Sequence, residues 1–229
     1  SQPFSGRFAR ADKRGPIWLG VDMQNQGRSR FGSEWTSGFR QLLQTYRRVT
    51  MGSIRPVHIY VDGSCGENRN VTSDTKAGWG YCVISEDTGS GNGKGSLVTE
   101  SFGHVVTNPE DDGFLGAEVG SNNTAELSAI AHALRWVILE KGVGAAIVRS
   151  DSTYALNIAS GTWEAKANQE LARRVSSLWK EVSGLMMLSG EHVPAHTGHR
   201  WNERADHLAF RAMKGDSPLP LQFWKPGKR

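Results

Sequence analysis

The chain of 229 residues predicts an α/β fold, in which a mixed β-sheet carries helices on its faces. Two observations predict it. Segments with alternating, β-rich residues follow one another closely between residues 57 and 106. From residue 123 onward, segments whose apolar residues recur every three or four positions alternate with short apolar segments. The expected order of elements is therefore βββαβααβα.

The first 56 residues differ from the rest of the chain. Residues 1–32 are rich in Arg, Gly, Ser and Gln, which is typical of an irregular arm. Residues 51–56 are expected to form a linker. Residues 33–49 predict a helix with an apolar stripe made by Trp35, Phe39, Leu42, Tyr46 and Val49. Two interpretations stay open for this helix: it grips nucleic acid with its basic residues, or it packs its stripe on the following domain.

Three strands are predicted next, close together in the sequence. They are VHIYVDG at 57–63, GWGYCVIS at 78–85 and LVTESFGHVV at 97–106. Because a short Gly/Ser segment joins the second and third strands, we expect an antiparallel meander. The polar and acidic residues 107–122 predict a long loop.

The second half of the predicted sheet is reached through helices. The first helix is expected to begin at Asn123, which would form a capping box with Glu126, and to end at Gly142. Further strands are predicted at 145–151 and 185–193, and further helices at 152–161, 167–184 and 202–215. Strands connected through helices are expected to run parallel to a neighbour.

Charge is distributed unevenly along the chain, whose net charge is +4. Residues 1–56 carry ten Lys/Arg and three Asp/Glu, residues 57–213 carry 13 and 19, and residues 214–229 carry four and one. Basic flanks hold phosphate backbones in many proteins, although they can also be merely solvated. An acidic centre that meets nucleic acid requires cations.

Other classes of protein fit the composition poorly. No segment approaches the apolar length that spans a membrane, and the start has no signal-peptide pattern. Cys65 and Cys82 are too few for a disulfide framework or a zinc cluster. We therefore expect an intracellular protein with reduced thiols.

Four carboxylates are candidates for a functional site. Asp62 interrupts an apolar strand, where a charge is costly unless it is paired or bound to a cation. Asp151 ends another apolar strand, so both side chains would emerge at one sheet edge if the two strands are parallel neighbours. Each carboxylate alone has an ordinary interpretation: a turn for Asp62, helix caps for Asp151 and Glu126, and an exposed helix position for Asp206.

Five short motifs follow one another along the chain: YVDGS, GWG, NNTAEL, SDSTYA and HTGHRWNERAD. In this order and spacing they resemble the type 1 ribonuclease H family over roughly residues 57–214. The resemblance implies the ribonuclease H-like fold, a five-stranded mixed sheet with three antiparallel and two parallel strands, flanked by helices. This agrees with the order of elements expected above.

The resemblance also implies an activity. In the family, carboxylates at the positions of Asp62, Glu126, Asp151 and Asp206 hold two divalent cations, and the RNA strand of RNA–DNA hybrids is cut to 5′-phosphate and 3′-hydroxyl ends. Oxygen ligands suit Mg²⁺, and Mn²⁺ is expected to substitute. Two cations offset the repulsion between a phosphate and the carboxylates around it, and they stabilise the attacking and leaving oxygens.

Further residues match the family by position. His196, in PAHTGH, matches the family's mobile proton-carrying His, whereas His199 is expected to be structural. The resemblance implies substrate contacts at Ser64, Cys65, Gly66, Asn122, Asn123, Thr153 and Trp163. For Trp163, which resembles an aromatic residue under the DNA-strand channel, core packing is the alternative.

We therefore predict three parts: a basic arm with a short helix and linker (1–56), a catalytic domain (57–214) and a basic tail (215–229). The catalytic domain is expected to be a monomer. One alternative is a catalytically silent nucleic-acid-binding module of the same fold, and another is a nuclease that cuts DNA. Because the sequence starts without Met, a third hypothesis is a ribonuclease H domain that follows a reverse transcriptase in a retroelement polyprotein.

Overall fold

The computed structural model describes residues 55–67, 69–140, 143–195 and 197–227. The helix predicted at 33–49 lies outside the described residues, and so does the candidate His196. Within the described part of the chain, no helix is long and apolar enough to cross a membrane.

The described residues contain five strands and four helices, which follow one another in the predicted order. The strands are β1 (Val57–Cys65), β2 (Ala77–Ser85), β3 (Ser96–His104), β4 (Ala145–Ser150) and β5 (Met187–His192). The helices are α1 (Asn122–Leu139), α2 (Thr153–Ser160), α3 (Gln169–Leu185) and α4 (Arg200–Lys214). The predicted bounds differ from these by three residues at most.

The strands form a single mixed sheet in the order β3-β2-β1-β4-β5. β1 pairs antiparallel with β2, and β2 with β3. β4 runs parallel to both β1 and β5. The fold class predicted from the sequence, three antiparallel strands followed by two parallel ones, is therefore confirmed.

Helices cover both faces of the sheet. On one face, α1, α2 and α3 enclose the larger core, in which Ile59, Val61 and Val148 pack with Leu127 and Leu171. On the other face, α4 packs Ala205 and Leu208 against Tyr60, Cys82 and Ile84. Alternate β1 residues belong to different cores because successive side chains point to opposite faces of a strand.

Glycines let the helices lie unusually close to the sheet. A Cβ on Gly78 would lie 2.3 Å from the backbone N of Met213, and one on Gly80 would lie 2.6 Å from that of Ala209. The GWG motif of β2 therefore allows α4 to contact the sheet through backbone. Gly63 plays the same part for α1, since its Cβ would lie 2.4 Å from the backbone N of Glu126.

The cap predicted for α1 was wrong. The helix begins after Ser121, whose Oγ accepts from the backbone N–H of Thr124, while Thr124 Oγ1 accepts from the N–H of Ser121. A threonine thus occupies the capping-box position usually taken by Glu or Gln. The helix also ends at Leu139, three residues before the predicted Gly142. Glu126 is therefore not the capping acid.

The segment after α4 folds back on that helix. Trp224 is 3% exposed. The guanidinium of Arg204 donates to the carbonyl oxygen of Leu219 at 2.8 Å, and the N–H of Leu219 donates to His207 Nε2 at 2.9 Å. Residues 216–227, called the C-terminal strap below, therefore pack on α4.

Candidate active site

The parallel pairing of β1 and β4 brings two of the candidate carboxylates together. Tyr60 pairs with Arg149, so Asp62 and Asp151 follow at the same level of the sheet, two residues further along. One carboxylate oxygen from each of Asp62, Asp151 and Glu126 lies within 4.8 Å of the others. The expectation that Asp62 and Asp151 share one sheet edge is confirmed.

Glu126 reaches this edge from α1 because the helix touches β1 at Gly63. Its Oε1 accepts a hydrogen bond from Asn122 Nδ2 at 2.8 Å, one helical turn earlier. Its Oε2 is buried and has no hydrogen-bond partner among the described residues. Because a buried, unpaired carboxylate oxygen is costly, this atom favours a bound cation.

Burial and like charges set the protonation of the cluster. Burial raises the pKa of Asp62 well above its usual range, and the charges of Asp151, Asp206 and Glu126 raise it further. Burial also raises the pKa of Glu126 to about 7; the nearby Ser152 side chain opposes this rise, and the Asp151 charge adds to it. A divalent cation would reverse this penalty, because it stabilises the ionised carboxylates.

Asp206 lies on α4, across the sheet from α1. It does not belong to the three-carboxylate group, but its charge acts on Asp62. Asp206 is partly exposed. The structure thus places Asp206 near the cluster. That Asp206 is a fourth ligand of the cations stays a prediction.

The predictions for His196 and His199 have different outcomes. His196 is outside the described residues, so its catalytic part stays a prediction. His199 is 8% exposed, is the N-cap residue of α4 and packs its ring on Tyr60 at a centroid distance of 4.9 Å. These contacts agree with a structural interpretation of His199.

Sequence reasoning missed one histidine beside the cluster. His192 ends β5, opposite Ser150 of β4, and its Nε2 lies 3.1 Å from the backbone oxygen of Asp151. The sequence contains no motif that marks His192. The pairing of β4 with β5, which depends on the strand order, brings it to the site.

The predicted substrate contacts surround the carboxylates. Ser64 and Cys65 end β1 and Gly66 follows it, while Asn122 and Asn123 begin α1. Thr153 is the exposed first residue of α2. Asn122 differs from the other predicted contacts, because its side-chain amide donates a hydrogen bond to Glu126 within the protein.

Trp163 lies beyond α2 and is 50% exposed, which argues against core packing. It lines an open groove of about 390 Å³ together with Arg173, Ser176 and Lys180 of α3. An exposed aromatic ring beside two basic side chains is typical of a surface that binds a nucleic-acid strand.

The donor set of the cluster fits a divalent cation. Three carboxylates from β1, α1 and the end of β4 converge, and one of their buried oxygens has no partner among the described residues. Carboxylate oxygens are the ligands that Mg²⁺ and Mn²⁺ prefer. The cluster therefore has the ligand types and the convergence that a divalent cation requires.

Comparisons with known proteins point to one family. The family model described as RNase H matches residues 55–214. Ribonuclease H of Neisseria meningitidis serogroup C is 29% identical over 167 residues, covering 68% of this chain and 94% of that protein. Ribonuclease H of Anaplasma marginale is 30% identical over 183 residues, covering 75% of this chain and 99% of that protein.

Solved structures agree. RNase H1 from the archaeon Halobacterium salinarum is similar with a TM-score of 0.50 and 26% identity, covering 70% of this chain and 99% of that one. LC11-RNase H1, solved in complex with an RNA/DNA hybrid, has a TM-score of 0.50 and 24% identity, covering 69% and 97%. With the family model matching well over half of its length and the carboxylates gathered at one sheet edge, the chain belongs to the RNase H family.

Proposed function

We propose that the chain is a metal-dependent endoribonuclease that hydrolyses the RNA strand of RNA–DNA hybrids. The observation that carries the proposal is the convergence of Asp62, Glu126 and Asp151 within 4.8 Å in a chain of the RNase H family. The hybrid bound to the similar LC11-RNase H1 supports the choice of substrate. A catalytically silent module would have no need of a costly buried carboxylate cluster.

Two Mg²⁺ ions per site, replaceable by Mn²⁺, would be held by Asp62, Glu126, Asp151 and Asp206. When bound, they supply Lewis-acid stabilisation of the charge that develops on the phosphate oxygens. The protein's part is to hold the carboxylates in position, and the cations would keep them ionised. Asn122 orients Glu126 through its 2.8 Å hydrogen bond, and the N–H of Gly63 donates to Asp62 Oδ1 at 2.7 Å.

Proton transfer is assigned to His196. The ordinary pKa of a histidine lies near neutrality, which suits this residue type to carry a proton to or from the reacting water and leaving group. Hydrolysis at the 3′-oxygen leaves a 3′-hydroxyl on one product and a 5′-phosphate on the other.

Recognition of the hybrid is divided between two surfaces. Ser64, Cys65, Gly66, Asn123 and Thr153 lie around the carboxylates, where the minor groove and its 2′-hydroxyls identify the RNA strand. The groove formed by Trp163, Arg173 and Lys180 would hold the DNA strand by stacking and by contacts to phosphates.

A cleavage assay tests the proposal. We expect wild type to cut the RNA strand of a labelled hybrid with Mg²⁺ or Mn²⁺ and not with EDTA, and Asp62→Asn to lose at least three orders of magnitude in rate, roughly the loss when a key catalytic group is removed. Asp112→Asn, which changes an exposed carboxylate in the loop before α1, is the matched control and keeps its activity. Failure of wild type to cut the hybrid overturns the proposal.

Two finer points have their own measurements. Mass spectrometry of the fragments identifies the ends, and we expect 5′-phosphate with 3′-hydroxyl. Light scattering after size-exclusion chromatography reports the oligomeric state, for which we propose a monomer. An intracellular location and an upstream reverse transcriptase remain predictions from the sequence.

A further inference from the structure

A network of buried polar side chains lies in the sheet, and the proposed function uses none of them. His58 and Tyr60 of β1 are 4% and 0% exposed, and Arg149 of β4 is 7% exposed. Asp87 joins them from the turn between β2 and β3, where its side chain is also buried. Because a buried charge is costly unless it is paired, each contact in this network bears on the stability of the fold.

The carboxylate of Asp87 is fixed beside β1 by two hydrogen bonds. The Tyr60 hydroxyl donates to Oδ2 at 2.5 Å, and the N–H of Gly89 donates to Oδ1 at 3.1 Å. His199, the N-cap residue of α4, lies further from the same hydroxyl, at 3.4 Å through Nε2. Burial raises the pKa of Tyr60 well above its usual range, and the bond to Asp87 raises it further. The hydroxyl therefore stays a donor to Asp87.

The Nδ1 atom of His58 lies between two groups that require opposite protonation states of it. Arg149 Nε always carries a hydrogen and donates it to Nδ1 at 3.0 Å, which requires an unprotonated nitrogen. Asp87 Oδ2 lies 3.3 Å from the same Nδ1. An ionised carboxylate only accepts, so a hydrogen bond there requires a protonated nitrogen. One ring nitrogen cannot bond to both partners at once.

Three charged groups from three elements act on His58. Burial lowers the pKa of His58, and the charge of Arg149 on β4 lowers it further. The charges of Asp87 in the turn and Glu191 on β5 oppose this, and the net result is a pKa below the ordinary 6.5. At neutral pH the ring is therefore uncharged and accepts from Arg149.

Arg149 has a second partner besides His58. Its Nη2 lies 2.7 Å from Glu191 Oε2, and its guanidinium lies 5.8 Å from the centroid of the Tyr60 ring. The Glu191 side chain is 47% exposed, so this ion pair lies next to solvent. If His58 Nδ1 became a donor, the guanidinium would lose one acceptor and keep the other.

We propose that His58 is a pH-dependent switch between Arg149 and Asp87. In the neutral form, Nδ1 accepts from Arg149 and links β1 to β4. When the ring takes up a proton from solvent, Nδ1 donates to Asp87 and links β1 to the β2–β3 turn, while the guanidinium moves towards Glu191. The switch is a property of the fold and does not rest on the proposed function.

The direction of the pH effect follows from the pKa of His58. Because this pKa is lower in the folded protein than the ordinary 6.5, the folded state binds fewer protons than the unfolded chain as pH falls below 6.5. The stability that the bond with Arg149 contributes is therefore complete above pH 6.5. It is lost as pH falls from 6.5 through the pKa of the folded state.

The wild-type titration is the first test, on metal-free protein without nucleic acid. NMR of the imidazole nitrogens distinguishes a protonated His58 Nδ1 from an unprotonated one. At about pH 7.5 we expect an unprotonated Nδ1 and a scalar coupling across the hydrogen bond from Arg149 Nε. On acidification the coupling should vanish as the ring is protonated, with a midpoint below 6.5. A protonated Nδ1 at neutral pH, or a coupling that outlasts ring protonation, overturns the proposal.

Two variants separate the partners by the sign of the shift. Asp87→Asn removes the charge that favours the protonated ring and keeps an oxygen for Tyr60 and Gly89, so the midpoint should fall by about one pH unit. Arg149→Met removes the opposing charge, so the midpoint should rise by a similar amount. Glu86→Gln changes an exposed carboxylate beside Asp87 and is the control, whose midpoint should equal that of wild type.

Shifts of the same sign in Asp87→Asn and Arg149→Met, or no shift in either, overturn the proposal. The wild-type titration needs no substitution, so the decision does not depend on whether the variants fold. None of these measurements involves cleavage. A failure of the proposed function would therefore leave the result for His58 unchanged, and the reverse also holds.

Discussion

Glu126 and Asp62 are both only 6% exposed, yet both must be ionised to hold a cation. Burial of a carboxylate disfavours its charged form, and neighbouring carboxylates disfavour it further. The pKa of Asp62 is raised mainly by burial and then by Asp151, Asp206 and Glu126. A site that binds a divalent cation tightly is therefore unfavourable for the metal-free fold at neutral pH.

Glu126→Gln should stabilise the metal-free protein at pH 8. The pKa of Glu126 is raised from 4.5 to about 7, so the wild-type fold is favoured while this group is protonated and loses that stability as pH rises from about 4.5 through 7. The shift corresponds to at most roughly 3 kcal/mol. Urea unfolding with EDTA at pH 4 and pH 8 measures the difference, which should be present only at pH 8.

Glu181→Gln, at an exposed position of α3, is the control and should show no such pH dependence. Added Mg²⁺ should stabilise wild type and not Glu126→Gln. A Glu126→Gln protein that is less stable than wild type at pH 8 without metal would contradict the electrostatic account.

Asn122→Ala should weaken metal binding, because the amide at 2.8 Å holds one oxygen of Glu126. Loss of a partner that orients a ligand costs roughly 10–100-fold in metal affinity. Calorimetric titration with Mn²⁺ measures this directly. Asn123→Ala changes the exposed neighbour; it should leave Mn²⁺ affinity unchanged and raise the KM for the hybrid. Equal Mn²⁺ affinity in both variants would show that Asn122 does not position Glu126.

At the scale of elements, the site depends on how closely α1 approaches β1. A Cβ on Gly63 would collide with the backbone of Ala125 and Glu126, so glycine at this position lets the helix place its carboxylate beside Asp62. The strand pair β1–β4 then adds Asp151 at the same level. Two contacts between elements, one helix-to-strand and one strand-to-strand, assemble the cluster.

Gly63→Ala should push α1 away from β1, because the new Cβ would lie 2.4 Å from a backbone nitrogen that cannot rotate aside. We expect destabilisation of about 1–3 kcal/mol, as for overpacking in a core, together with a loss of cleavage rate. Chemical denaturation and the hybrid assay measure the two effects.

Gly184→Ala is the matched control. Gly184 lies in α3, and nothing lies within 4 Å of the Cβ that would be added. Alanine in a helix should therefore stabilise the protein by roughly 0.5–1 kcal/mol and leave cleavage unchanged. If both glycine variants behave alike, close approach at Gly63 is not what places Glu126.

At the scale of the whole molecule, the C-terminal strap completes the face of the sheet covered by α4. Arg204 is fully buried and lies between Glu100 of β3, to which Nε donates at 2.8 Å, and the Trp224 ring, whose centroid is 5.4 Å away. Glu203 accepts one hydrogen bond from the N–H of Gly198 and another from that of Gly227. Arg204 thus connects the strap to β3, and Glu203 connects it to the loop before α4.

Trp224→Ala should destabilise the protein by about 3–5 kcal/mol, as expected for a buried aromatic residue. Phe223→Ala removes a neighbouring ring that is 66% exposed and should cost less than about 0.5 kcal/mol. Thermal unfolding compares the two. Equal loss of stability in both variants would mean that packing of Trp224 on α4 contributes little to the stability of the fold.

Local sequence patterns were sufficient to predict most of the secondary structure and the family. Alternating residues predicted the strands, helical spacing predicted the helices, and five motifs predicted the family and the carboxylates. The N-cap of α1 was predicted at the wrong residue because Asn123 and Glu126 have the spacing of a capping box. Ser121 and Thr124 have the same spacing and form the capping box in the structure. The strap was not expected, since residues 214–229, with four Lys/Arg and one Asp/Glu, resemble a solvated basic tail.

The sequence by itself determined the family, the order of the elements and the candidate carboxylates, because residue type and order along the chain are local properties. Only the tertiary structure decided that Glu126 is bonded to Asn122, that His192 adjoins Asp151 and that Arg149 is bonded to His58. These contacts join residues through strand order and helix packing. They depend on the summed burial of the whole core, for which no short segment of sequence carries a signal.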